Sequence, residues 1–189
     1  MKGIIFSQQL IPLILSGQKT VTRRLSGLES VNGWPDDWQY IGLLAEFEFT
    51  PDPRLRIKCK PRYLPGEIVY LKETWIHTAS QETGDYLYSG NKTFYKSAGN
   101  LILGSNLSWK SPLMMPEKFS RCHLLIKDVR AERLQKITEE DAVKEGISAI
   151  YAQYQIPMFA DLWDSINDKH KWENNPWCWV YTFERTDNI

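Results

Sequence analysis

Runs in which apolar and polar residues alternate predict most of the β-structure of this chain. Residues 45–49 and 54–60 alternate on either side of a turn that contains two prolines, which indicates a β-hairpin. Residues 68–75 are dense in β-branched and aromatic side chains and predict a buried strand. Two further strands are expected at 122–129 and at 177–183, the second with aromatic residues at every other position.

Helical spacing is confined to short segments. A helix is predicted at 9–16, with Pro12 in its first turn and Gly17 as its C-terminal cap. A capping-box pattern opens a second helix at 138–144, and Gly146 ends it.

A third helix is expected to begin at Pro157. Its apolar residues repeat at the spacing of one helix face and should pack on the core: Phe159, Leu162, Trp163 and Ile166. Residues 77–106 are polar and rich in glycine, serine and asparagine, which is typical of an insertion. Several strands with few helices favour an α+β fold in a single domain spanning 1–189, a small β-barrel with helices packed on it.

Composition excludes several classes of protein. The chain has 23 Lys+Arg and 23 Asp+Glu, so any affinity for nucleic acid must come from a local patch. Its three cysteines lack the C-x-x-C spacing, and its three histidines lack metal-ligand spacing, so we expect neither a metal nor another cofactor. No secretion signal and no apolar run of about 18 residues is present, which predicts a cytoplasmic protein without membrane contact.

The clearest basic patch lies on the predicted strand at 54–60, where every second residue is cationic. Neighbouring charges on one face of a strand lie about 6.6 Å apart, close to the spacing of phosphates along a single nucleic-acid strand. Glu46 and Glu48 on the preceding strand would pair with these cations across the hairpin, so a paired, solvated face is favoured over nucleic-acid contact. Lys58 and Lys60 are the cations expected to stay free.

Residues 17–24, with the sequence GQKTVTRR, have two competing interpretations. Their cations could lie on the surface beyond a helix C-terminus, where the helix dipole favours them, or they could form part of a reactive site. Lys19 and Thr22 are three residues apart, so a regular strand would place them on opposite faces. A reactive site therefore requires a turn at 18–21.

Two separated motifs, in the right order, resemble the signature of the ASCH family. The first is G-x-K-T-x-T-x-R at 17–24, and the second is ITEEDAVKEG at 137–146, with an acidic residue just before the glycine. Further matches are similar to the larger, phage- and prophage-associated branch of that family and lie at 63–67, 72–75, 109–116 and 120–121. The resemblance spans nearly the whole chain apart from 25–45 and 77–106. It implies a PUA-like β-barrel and a role on RNA or modified nucleosides.

The resemblance also implies an activity. Small bacterial members of the family are amidohydrolases that remove the acetyl group from N4-acetylcytidine with a lysine, a threonine and a glutamate, which match Lys19, Thr22 and Glu145 here. The arginine of the first motif matches Arg24. The cations expected to contact substrate or nucleic acid are Arg23, Arg24, Lys58, Lys60 and Arg121.

Amide hydrolysis sets a condition on the protonation of Lys19. Thr22 could act as nucleophile, Lys19 as base, and Arg24 or backbone N–H groups as stabilisers of the oxyanion. A lysine pKa of about 10.4 must fall by about three units, roughly 4 kcal/mol, before the amine is neutral near pH 7.4. Burial and a neighbouring arginine would lower the pKa, whereas a paired Glu145 would raise it. The sequence leaves the sum of these effects open.

Three functions are consistent with these residues. The first is hydrolysis of an N4-acylated cytidine or a related amide. The second is a non-catalytic module that binds RNA or a modified nucleotide, with affinity that falls as salt is added. The third is a ribonuclease in which Lys19 stabilises a phosphorane. A protein partner is not indicated.

Overall fold

The computed structural model describes residues 1–42, 45–78, 82–83, 86–87, 92–99, 108–150 and 153–186. The strands are β1 (Lys2–Ile5), β2 (Val21–Arg24), β3 (Trp38–Tyr40), β4 (Glu46–Phe49), β5 (Arg56–Lys58), β6 (Ile68–Lys72), β7 (Trp75–Thr78), β8 (Glu82–Thr83), β9 (Tyr86–Leu87), β10 (Lys92–Tyr95), β11 (His123–Arg133) and β12 (Trp177–Thr186). The α-helices are α1 (Ile11–Leu15), α2 (Glu29–Asn32), α3 (Glu139–Lys144) and α4 (Gln155–Ile166). Single 3-10 turns lie at Gln8–Leu10, Pro35–Asp37, Lys96–Ala98, Pro112–Met114, Glu117–Phe119, Leu134–Lys136 and Trp172–Asn174.

The chain divides into two compact units. The first comprises Met1–Gly17, Ile68–Leu125 and Arg185–Ile189, and the second comprises Gln18–Glu67 and Ile126–Glu184. Strand β11 begins in the first unit and ends in the second. The prediction of one domain with an insertion concerns folding units and stays a prediction.

In the first unit, β6 is the central strand. It pairs in parallel with β1 and antiparallel with the start of β11, and its residues Val69 and Leu71 are buried. Trp75–Thr78 pairs antiparallel with Lys92–Tyr95 in a separate two-stranded sheet. Most of the predicted insertion at 77–106 lies outside the described residues.

In the second unit, β12 lies between β11 and β2. Its pairing with β2 is antiparallel and places Thr22 opposite Tyr181. A further sheet has the strand order β3, β4, β5, and Phe47 of β4 contacts Trp177 and Trp179 edge-on. The core beneath α3 and α4 consists of Leu134, Ile137, Ala142, Phe159, Trp163 and Cys178.

The predicted strands are confirmed with changed ends. The hairpin forms between β4 and β5, and the first five residues of the aromatic C-terminal strand are buried on both faces. The strand expected at 68–75 is two strands, since β6 ends at Lys72 and β7 begins at Trp75. The strand predicted at 122–129 extends to Arg133.

The predicted helices are confirmed, with one error in burial. Pro12 lies in the first turn of α1, and Gly17 has the positive φ of 76° expected of a C-terminal cap. Helix α4 begins at Gln155, two residues before the expected start. Phe159 and Trp163 pack in the core, but Ile166 is 56% exposed because it lies in the last turn, beyond the packed face.

The described residues therefore form a mixed α and β structure of several sheets with a few helices. Within that part of the chain no helix is long and apolar enough to cross a membrane. All three cysteines are buried free thiols, as expected.

Candidate active site

Lys19 lies in the short connection between α1 and β2 and is almost wholly buried, with 2% of its surface exposed. Its Nζ donates to the carbonyl oxygen of Val21 at 2.8 Å, to the carbonyl oxygen of Glu145 at 2.7 Å and to Oε2 of Glu145 at 2.6 Å. The interpretation of Lys19 as a surface cation is therefore wrong. A buried ammonium needs acceptors of this kind, because an unpaired one would be costly.

Glu145 reaches this position because α3 ends there. Thr138 caps the helix N-terminus by accepting a hydrogen bond from the Asp141 amide at 3.1 Å, which confirms the N-cap of the predicted capping box. Gly146 then takes a φ of 102°, where a side chain would be strained, and the chain leaves the helix. The Thr20 amide donates to the Lys144 carbonyl at 2.9 Å and so fixes the connection before β2 to the end of α3.

The site lies along one edge of β2. The carbonyl of Thr20 points toward β12, where it accepts from the Phe183 amide at 2.8 Å. Since successive carbonyls of a strand alternate in direction, the carbonyl of Val21 points away from β12. Lys19 binds it there, on the side of β2 that no strand of the described chain covers.

Thr22 is the next residue along and has 4% of its surface exposed. Lys19 Nζ contacts the carbonyl of the peptide unit that leads into Thr22. Residues 18–20 lie outside any helix or strand and Val21 begins β2, so the meeting of the Lys19 amine with the Thr22 hydroxyl through a turn at 18–21 stays a prediction. The described residues contain no hydrogen bond made by the Thr22 hydroxyl, neither to Lys19 nor to another group. Lys19 and Glu145 are thus joined directly, and Thr22 adjoins them through the backbone of β2.

Arg23 occupies the opposite face of β2 from Thr22 and Arg24, as strand alternation requires. Its guanidinium is split between two carboxylates: one terminal nitrogen donates to Oε1 of Glu145 at 3.2 Å and the other to Oδ2 of Asp141 at 2.9 Å. Burial acts to lower the pKa of Arg23, but Glu145, Asp141 and Glu132 outweigh it and raise that pKa. Arg23 is therefore a fixed cation.

Arg24 shares a face of β2 with Thr22 and is partly buried. Burial lowers its pKa, against the opposing effects of Glu145, Tyr63 and Tyr181. An arginine remains cationic in a protein even so. A fixed positive charge beside Thr22 is suited to a developing oxyanion.

The pKa of Lys19 lies below its ordinary value. Burial is the largest cause, and Arg24 and Arg23 act in the same direction. The charge of Glu145 and its hydrogen bond oppose them and are outweighed. The balance that the sequence leaves open thus favours release of the proton.

Three of the predicted binding cations lie elsewhere. Lys58 was expected to be free, but it forms an ion pair with Glu46 at 3.1 Å across the hairpin. Arg56 pairs in the same way with Glu48 at 2.8 Å, as expected from the register of the two strands. Lys60 is exposed.

Arg121 belongs to a different buried cluster, in the first unit. Its Nε and one terminal nitrogen donate to the two carboxylate oxygens of Glu73 at 2.9 and 2.8 Å, and Glu73 is completely buried. Ser97 donates to Oε2 of the same carboxylate, and the guanidinium lies 4.3 Å from the ring centre of Tyr95. Arg121 is therefore engaged by a carboxylate, and its contact with substrate stays a prediction.

Sequence reasoning missed Asp141, Glu132 and Arg130 as neighbours of the site. Asp141 was assigned to the capping box alone, yet its carboxylate accepts from Arg23 and, at 3.1 Å, from Arg130. The available signal was spacing, because Asp141 and Glu145 are four apart and share one face of α3. Nothing in the strand pattern of β11 singled out Glu132 or Arg130.

A groove of about 510 Å³ lies in the first unit and is lined by Ser7, Gln8, Gln9, Pro12 and Ser97. It contains none of the predicted site residues. The described residues also contain no group of three or more His, Cys, Asp or Glu side chains that could hold a metal ion.

In comparisons with known proteins, no family model, no curated protein and no solved structure matches this chain.

Proposed function

We propose that the second unit is an amidohydrolase of the ASCH type that removes the acyl group from an N4-acylated cytidine or a closely related amide. The observation that carries the proposal is the contact of 2.6 Å between Lys19 Nζ and Glu145 Oε2, together with the hydrogen bond from Lys19 Nζ to the carbonyl of Val21, the residue before the buried Thr22. These are the three residues that the motifs single out. The PUA-like barrel and the cytoplasmic location are parts of the same proposal.

The roles follow from hydrogen-bond capacity. As an ammonium, Lys19 has three N–H donors, and it donates to three acceptors within the described part of the chain. As a neutral amine it keeps two N–H donors and gains a lone pair. One of its hydrogen bonds is then lost, and the lone pair can accept a proton instead. Glu145 holds the amine in place and does not itself react.

The reaction then proceeds in two stages. The Thr22 oxygen attacks the acyl carbonyl carbon while its proton passes to Lys19, and Arg24 stabilises the negative charge that develops on the carbonyl oxygen. The C–N bond breaks, and the Lys19 ammonium returns the proton to the leaving amino nitrogen of the base. Water then hydrolyses the Thr22 ester and releases the carboxylic acid. A positioned base of this kind contributes about 10²–10⁴-fold to the rate.

Burial supports this role over a purely electrostatic one. Arg23 is committed to two carboxylates and Lys58 to Glu46, so these cations are poorly placed to hold the phosphates of an RNA strand. The formal net charge of zero adds no general attraction for nucleic acid. Amide hydrolysis needs only the small cluster at the edge of β2.

The test is incubation with N4-acetylcytidine, with cytidine and acetate measured by chromatography. We expect turnover by the unaltered protein, and a loss of about a hundredfold or more in Lys19→Met, which keeps the length of the side chain and removes the amine. Lys127→Met is the matched control, because Lys127 is an exposed lysine of the same unit paired with Glu184. Circular dichroism confirms that each variant is folded.

Two outcomes would overturn the proposal. One is absence of turnover in the folded, unaltered protein, and the other is equal turnover in Lys19→Met and Lys127→Met. Cleavage of an RNA oligonucleotide that stops when the 2′-hydroxyls are removed would favour the ribonuclease alternative instead.

A further inference from the structure

The two oxygens of the Glu145 carboxylate are held by different cations. Oε2 accepts from Lys19 at 2.6 Å, and Oε1 accepts from Arg23 at 3.2 Å. A carboxylate that accepts hydrogen bonds through both oxygens cannot rotate about its Cγ–Cδ bond without losing one of these hydrogen bonds. Its orientation toward Lys19 is thus set in part by Arg23.

Arg23 is itself held from the far side. Its second terminal nitrogen contacts Asp141 at 2.9 Å and lies 3.6 Å from Oε1 of Glu132. Its guanidinium carbon lies 5.9 Å from the centre of the Phe159 ring, within the range of a cation–π contact. Side chains from α3, β11 and α4 therefore fix this one guanidinium, and 5% of Arg23 is exposed.

The charged and titratable groups around the Lys19–Glu145 pair lie on several elements. The charged groups are Arg23 and Arg24 on β2, Asp141 on α3, Arg130 and Glu132 on β11, and Arg62 in the segment before β6; the neutral titratable groups are Cys178 and Tyr181 on β12 and Tyr63 before β6. Among these cations Arg23 donates a hydrogen bond to Oε1 of Glu145. Arg130 donates to Asp141 at 3.1 Å and to Glu132 at 3.0 Å.

We propose that Arg23 is a positioning residue: it holds the Glu145 carboxylate against Lys19 and, as a second fixed cation on that carboxylate, favours release of the proton that Lys19 carries. A like charge nearby disfavours an ammonium, and Arg24 acts on Lys19 in the same direction as Arg23 and more strongly. The position lies between the threonine and the arginine of the first motif and is not itself a motif residue. The consequence for catalysis rests on the proposed function, whereas the proton equilibrium can be measured without substrate.

The experiment is a pH titration of the Lys19 amino group by ¹⁵N NMR, with its signal assigned by its absence in Lys19→Met. We expect Arg23→Gln, which removes the charge, to raise the titration midpoint by about one unit or more. Arg130→Gln is the matched control, because it removes a cation from Asp141 without touching Glu145. Its midpoint should stay within about 0.3 unit of the unaltered protein, as expected when charges are partly exposed and screened.

Arg23→Lys provides a second variant if Arg23→Gln does not fold. Lysine keeps the charge but lacks the planar fork that reaches two carboxylates, so its midpoint should rise by a smaller amount, about half a unit. Equal midpoints in Arg23→Gln and Arg130→Gln overturn the inference. If Arg23→Gln does not fold, a titration midpoint of Lys19 in Arg23→Lys equal to that in the unaltered protein also overturns the inference.

The same variants separate this inference from the proposed function. If the protein turns over substrate, the acidic limb of the pH profile of kcat/KM should move to higher pH in Arg23→Gln, by the same amount as the Lys19 titration midpoint. A shifted midpoint without any turnover in the unaltered protein leaves the role of Arg23 in place and rejects the hydrolase. Turnover by the unaltered protein, with an unshifted Lys19 midpoint in Arg23→Gln, supports the hydrolase and rejects the role of Arg23.

Discussion

In the described part of each unit, a buried carboxylate is held by cations: Glu73 in the first and Glu145 in the second. The two clusters differ in whether their cations have raised or lowered pKa values. In the first unit, Arg121 binds both oxygens of Glu73, and Ser97 completes the bonding. In the second, the oxygens of Glu145 are divided between Lys19 and Arg23, and the neighbouring Thr22 hydroxyl makes no hydrogen bond within the described residues. Burial alone therefore does not distinguish the cluster that we propose to be reactive from the other one.

The cations explain the difference. The hydrogen bond to Glu73 is the largest effect on Arg121 and raises its pKa, so Arg121 is a fixed cation. Lysine shifts its pKa readily when buried, and that of Lys19 is lowered mainly by burial. In the proposed reaction, Lys19 loses its proton to become a neutral amine. That amine then accepts the proton of the Thr22 hydroxyl.

The largest expected effect comes from the hydroxyl that distinguishes the two clusters. Thr22→Val keeps the shape of the side chain and removes the oxygen, so the rate of N4-acetylcytidine hydrolysis should fall by about a hundredfold or more. Ser97→Ala removes the hydroxyl of the other cluster and should leave this rate unchanged. Steady-state kinetics of both variants and of Thr22→Ser, which restores an oxygen, give the measurement. Equal losses in Thr22→Val and Ser97→Ala would remove the distinction.

Breaking either ion pair should reduce stability, with a different dependence on pH. Removing one partner of a buried pair costs about 3–5 kcal/mol, somewhat less for Glu73→Gln because Arg121 is 28% exposed. In Glu145→Gln the unpaired Lys19 can lose its proton, so its cost should shrink as the pH rises from about 7 toward the unfolded lysine value of about 10.4. Urea unfolding at several pH values measures this. A cost of Glu145→Gln that does not change with pH would contradict the idea that Lys19 can be neutral.

Tyr181, the partner of Thr22 on β12, should make the second unit sensitive to alkali. Burial is the main cause that raises its pKa to about 12, against an ordinary value of 10.0. Because the folded-state pKa is raised, the stabilisation is complete below pH 10.0 and is lost as the pH rises toward about 12, by up to about 3 kcal/mol.

Tyr181→Phe gives the corresponding control. It loses the hydrogen bond that the Tyr181 hydroxyl accepts from the Arg62 amide at 3.1 Å, about 1 kcal/mol at neutral pH. In return it should lose less stability than the unaltered protein between pH 10 and 12, as measured by unfolding at fixed temperature. The same loss in both proteins would assign the alkaline sensitivity to other groups.

The smallest effect is expected for the exposed ion pair of Lys58 and Glu46, which provides a surface reference for both buried clusters. A double-mutant cycle with Lys58→Ala and Glu46→Ala should give a coupling of about 0.2–1 kcal/mol that declines as salt is added. Since Lys58 is paired, Lys58→Ala should not reduce the protein's affinity for an RNA oligonucleotide in a salt titration. A steep loss of affinity would restore Lys58 as a binding residue.

The elements of this protein could be predicted from local patterns, whereas the contacts of the site could not. Gly17, Thr138 and Gly146 fix helix ends by rules that act within a few residues, and each is confirmed. The ion pair of Lys19 and Glu145 spans 126 positions, and only the resemblance indicated it. The contact of Arg23 with Asp141 depends on which face of β2 meets α3, and neither motif carries that information.

The wide separation of Lys19 and Glu145 along the chain has a consequence for biosynthesis. Ribosomes extend proteins from the N-terminus, so the lysine emerges long before the helix end that supplies its acceptors. During that interval the amine remains hydrated and carries an ordinary ammonium charge, because no burial has yet acted on it. A nascent or truncated chain that stops short of residue 145 should therefore be catalytically silent whatever it binds.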